Sequence, residues 1–107
     1  MESREERIAR NEALFRDVNE RIKEATVSEP SETLTLLCEC GDVRCTRMVE
    51  LPVKEYEETR GEGERFLLVA GHEDETVERV IKRAGGVVVV EKRGESGDVA
   101  RDLDPRS

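Results

Sequence analysis

The chain has 107 residues and a formal charge of −8, and 41% of it is Asp, Glu, Lys or Arg, well above the rough quarter of an ordinary soluble domain. That length allows one small core. With Phe15, Tyr56 and Phe66 as its aromatic residues, the core falls to Val, Leu and Ile. The acidic balance lacks the basic footprint of a nucleic-acid binder, and the longest apolar runs, FLLVAG and GGVVVV, fall far short of the ~20 residues that span a bilayer.

The first stretch, MESREERIARNEALFRDVNERIKEA, alternates charge and has no apolar signal region. The expected location is the cytoplasm, where thiols stay reduced. Residues 4 to 26 carry Ile8, Phe15, Val18, Ile22 and Ala25 at helical spacing, with Leu14 at the edge. The spacing predicts an amphipathic helix that packs this stripe on a sheet. Glu12–Arg16 and Asp17–Arg21 are i,i+4 pairs expected on its wet side. A partner contact, or a homo-oligomer through this helix, is the other use of the stripe.

VSEPSE (27–32) is a polar connector. TLTLLCEC predicts a strand, and CTRMVEL a returning strand with Met48 or Val49 inward, so the two form a hairpin whose tip carries the cysteines. PVKEYEETRG predicts a short helix with Pro52 in its first turn and Gly61 at its end. RFLLVAG is a third strand, and His72 follows it. ETVERVIKRAGGVVVVEK fits either a helix over 75–84 ended by Gly85-Gly86 or a hairpin turning at those glycines. Residues 93–107 have little apolar content and are expected to form a flexible tail.

All three cysteines lie in LCECGDVRC, and the chain has one histidine. Cys38, Cys40, Cys45 and His72 make a Cys3His set, which suits a tetrahedral zinc ion. Cys38 and Cys40 start on one face of a strand, Gly41 allows the bend that brings them together, and GDVR is long enough to return Cys45. Four protein ligands close the sphere, so such a metal is structural. The competing chemistry is a thiol enzyme, with Cys38 or Cys45 as nucleophile and His72 as base, or a redox sensor using Cys38 and Cys40. The plainest alternative is three reduced, core-packed thiols and a loop histidine. Glu39, Asp42, Glu73 and Asp74 read as solvated acidic surface.

RNEALFRDVNERI, CECGDVRC and GHEDETVERVIKRAGGVVVVEK together resemble a group of small, functionally uncharacterised bacterial proteins with an RNExxFRxxNERI helix, a CECxxxxC cluster and a GHE…VVEK ending. The resemblance covers most of residues 10 to 92. It implies that Cys38, Cys40, Cys45 and His72 act together, and it favours the hairpin at Gly85-Gly86. Pro52 departs from the Ser or Thr cap usual at this point, which leaves Glu55 without a capping-box partner.

The reading is an α+β fold: a long N-terminal helix (1–26) on a small antiparallel sheet, with a zinc-knuckle hairpin and a short second helix in a core spanning 33–92. The expected role is a small zinc-stabilised binding or regulatory module without catalytic activity, acting on a protein partner.

Overall fold

The computed structural model describes residues 3–26 and 32–106. The predicted connector lies outside the described residues except for Glu32. The fold is α+β, as expected. Helix α1 (Arg4–Thr26) leads into strands β1 (Thr33–Leu37) and β2 (Met48–Pro52). Then follow helix α2 (Val53–Arg60), strands β3 (Arg65–Val69), β4 (Glu78–Ala84) and β5 (Val87–Lys92), and helix α3 (Gly94–Asp102). The strands form two antiparallel sheets rather than one: a β1–β2 hairpin and a three-stranded sheet of order β3-β5-β4. Segment 75–84 contains a strand, not a helix. Gly85 (φ 55°) and Gly86 (φ 83°) supply two consecutive positive-φ positions, the backbone of a tight hairpin turn.

α1 has no internal Gly or Pro, and Ser3 caps it: the Glu6 N–H donates to Ser3 Oγ at 3.1 Å. The core joins Leu34, Leu36, Val49 and Leu51 from the hairpin to Phe66, Leu67, Leu68, Val88 and Val90 from the larger sheet, with Tyr56 between them. Val49, not Met48, faces inward. α2 begins after Pro52 with no side-chain cap, and Gly61 ends it in a right-handed conformation (φ −64°).

The buried face of α1 is not the predicted stripe. Ile8, Phe15, Val18 and Ile22 are half-buried and Ala25 is exposed. The most buried positions are Ala9, Glu12, Ala13, Arg16, Asn19 and Glu20. The Glu12–Arg16 pair expected on the wet side is therefore inside, each residue 1% exposed. Asp17–Arg21 is outside as expected, at 3.7 Å. Each of these buried polar side chains has at least one distant partner, which offsets part of the cost of removing it from water, though Arg16 Nε itself has none among the described residues. Arg16 donates to the Gly63 and Ala100 carbonyls and lies 4.7 Å above the Phe66 ring. Tyr56 Oη donates to Glu20 at 2.9 Å.

Residues 93–107 also depart from expectation, because most of the segment is helix α3 rather than a frayed tail. Small residues explain its docking. Ala100 is fully buried, and a Cβ on Gly97 would lie 3.0 Å from the Lys92 carbonyl oxygen. Beyond the helix, Arg106 pairs with both Glu20 of α1 and Glu57 of α2. Packing through small side chains and ion pairs leaves no apolar periodicity to read.

Candidate metal centre

The six outward-facing backbone groups of β3 explain how the site is assembled. The Arg65 N–H donates to the Glu62 carbonyl at 3.3 Å, and the Arg65 carbonyl accepts from Arg60 Nη1 at 3.1 Å. The Leu67 carbonyl accepts the Glu39 N–H at 2.8 Å, and the Leu67 N–H donates to Glu39 Oε1 at 3.0 Å. The Val69 N–H donates to Cys38 Sγ at 3.2 Å, and the Val69 carbonyl accepts the His72 N–H at 3.0 Å. The segment Cys38-Glu39 thus covers the edge of β3, and the same edge delivers His72. No buried backbone group of this edge is left unpaired.

Alternation along the extended chain then sorts the side chains. Cys38 and Cys40 project one way, and Glu39 projects the other way into the interior, fully buried. There it pairs with Arg60 and accepts from Asn19 Nδ2 at 2.6 Å. Glu39 is not the surface acid its composition suggests. Asn19 also brackets Leu37, accepting from its N–H at 2.8 Å and donating to its carbonyl at 2.9 Å. One α1 side chain therefore occupies part of the β1 edge just before the first cysteine.

The knuckle closes after Cys40. Gly41 takes φ 80°, and the Asn11 amide donates to its carbonyl at 3.2 Å. The Asp42 carboxylate accepts the Arg44 N–H at 2.9 Å, and the Asp42 carbonyl accepts the Cys45 N–H at 2.9 Å. This tight turn returns Cys45 to the cluster. A Cβ on Gly41 would lie 2.8 Å from Glu12 Cγ and 3.0 Å from Ile8. Gly41→Ala should therefore destabilise the chain by about 2 kcal/mol through the left-handed backbone and the clash, measured as a lower urea midpoint.

Ligand atoms of Cys38, Cys40, Cys45 and His72 all lie within 4.8 Å of one another. His72 Nδ1 is 3.5 Å from Cys38 Sγ and 3.7 Å from Cys45 Sγ. Metal–sulfur and metal–nitrogen bonds of about 2.3 and 2.0 Å, held at a tetrahedral angle, place sulfur and nitrogen ~3.5 Å apart. The structure thus brings together all four residues singled out from the sequence, as a possible metal site. Burial pushes the Cys38 thiol up to about 12, against the opposing Val69 N–H. Burial also raises Cys40, against the Asp42 N–H. These thiols hold their protons at neutral pH until a cation displaces them. What sequence reasoning missed is the support behind the ligands, Glu39, Asn19 and Arg60, because their roles depend on partners remote in the chain.

Comparison with protein-family models, curated proteins and solved structures found no match for this chain. Among the described residues no helix is long and apolar enough to cross a membrane.

Proposed function

We propose that the chain is a small zinc-stabilised binding or regulatory module whose metal is structural. The observation that carries this reading is the convergence of three thiols and one imidazole nitrogen within 4.8 Å of one another, with His72 Nδ1 near tetrahedral spacing from Cys38 and Cys45. Zinc fits this set because it accepts soft sulfur and borderline nitrogen together. Four protein donors leave no open position for a substrate or an activated water, so the ion would tie the β1–β2 hairpin to the end of β3. The acidic surface, with the exposed Val43 at the knuckle tip and exposed Leu14 on α1, supports a protein partner over nucleic acid.

Metal analysis of the purified chain tests this. One zinc per chain should survive dialysis. Cys45→Ser and His72→Ala should each release it and lower the melting temperature by more than about 10 °C, the effect of a few kcal/mol in a domain of this size. Full stability after chelation would overturn the structural role. A turnover blocked by thiol alkylation in metal-free protein would favour the thiol enzyme instead.

A further inference from the structure

We infer that Glu39 is the positioning residue of the metal centre, holding Cys38 and Cys40 in their ligating geometry and coupling the seating of α1 to metal affinity. This rests on the metal reading above. The residue between two ligands sets their separation and direction, because both are one peptide unit away. Glu39 is fixed at four points: its N–H on the Leu67 carbonyl, Oε1 on the Leu67 N–H, and Oε2 on both Arg60 and Asn19. Arg60 is in turn anchored to the Arg65 carbonyl, and Tyr56 lies under its guanidinium, 4.9 Å from it. Fixing the peptide this firmly lowers the entropy lost when the thiolates converge on an ion, as supporting residues do in other metal sites.

Asn19 adds the coupling. It belongs to α1, touches none of the four ligands among the contacts above, and bonds both Leu37 and Glu39. Docked α1 therefore favours the ligating shape of the knuckle. By linkage, a bound ion must favour docked α1 to the same extent.

The test uses the full chain and a chelator competition for Zn2+, with the Co2+ absorption spectrum as a second readout. Asn19→Ala and Glu39→Gln should each weaken metal affinity roughly tenfold or more, and Glu39→Gln should also shift the thiolate-to-cobalt bands. Val90→Ala, a core truncation on β5 that removes none of the hydrogen bonds of Glu39 or Asn19, should lower stability but keep affinity within about twofold. Asn19→Ala carries the test alone if Glu39→Gln does not fold, since its side chain lies outside the donor set. Wild-type affinity in a folded Asn19→Ala variant would overturn the inference, and so would an equal loss of affinity in Val90→Ala. Failure of the wild-type chain to take up one metal ion would instead overturn the metal reading itself.

Discussion

Arg60→Met should destabilise the chain by about 3–5 kcal/mol at pH 7, the cost of leaving a buried charge without its counter-ion. Arg60 and Glu39 are 1% and 0% exposed at the side chain, so water cannot replace the lost partner. Burial works against the Arg60 charge, but the Glu39 carboxylate, helped by Tyr56, more than offsets it, and the guanidinium's pKa is raised above its ordinary value. Glu39 also keeps the Leu67 N–H paired. The deletion would therefore strain β3 and the segment that covers it at once. The double variant Glu39→Gln/Arg60→Met should recover part of the loss, because Gln brings no charge into the core and its one carbonyl oxygen keeps an acceptor for the Leu67 N–H, at the cost of the Asn19 bond that the second carboxylate oxygen accepts. A double-mutant cycle by urea unfolding should give a coupling of about 2 kcal/mol or more. A single-variant loss below about 1 kcal/mol would mean that water reaches the pair.

The same residues show what the sequence discloses and where it stops. The metal ligands were legible because their chemistry is carried by residue type: three thiols in eight positions and one imidazole need no knowledge of the fold to be grouped. The β1–β2 hairpin was legible from alternation, but the second was not settled by its residues, since Val77, Val80, Ile81 and Ala84 fit a helix ended by Gly85-Gly86 as well as a strand turning there. The register of α1 was not. Hydrophobic periodicity assumes that charge faces water, yet Glu12 and Arg16 lie inside. Their burial is offset by groups on β5 and α3 that only the fold brings near. Ala9 and Ala13 were the available clue, since small residues beside long charged ones allow the close approach such a face needs. A chain that is 41% charged with so few rings fills its interior partly with paired ions. For the same reason α3, with few large apolar residues, looked like a tail.

The contribution of Glu12 to stability should fall as pH rises from about 5 to 8, and Glu12→Gln should remove it. Lys92 Nζ lies 2.8 Å from Glu12 Oε1 and 2.8 Å from Glu78 Oε2, with all three side chains buried. One ammonium cannot neutralise two carboxylates. Burial pushes the Glu12 carboxyl up to about 8, against the pull of Lys92, with the Glu78 and Glu39 charges adding to the rise. The native state then holds a proton that the unfolded chain has released above about 4.5. Unfolding loses that proton, so this contribution is fully present below pH 4.5 and is lost as pH climbs through 8, at up to about 1.4 kcal/mol per unit. Glu57 acts in the opposite sense. Its hydrogen bond from Arg106 is the largest cause holding its carboxyl down at about 2, so its contribution is present above pH 4.5 and is lost on acidification. Protonation of the thiol ligands also opposes metal binding in acid, so the wild-type curve alone mixes three effects. The difference between wild type and Glu12→Gln isolates one of them. Measured by urea unfolding at pH 5, 6.5 and 8, Glu12→Gln should gain on the wild type by roughly 1 kcal/mol per pH unit. A difference that stays constant across the three would mean that Glu12 is ionised throughout and that the Lys92 site tolerates a net negative charge.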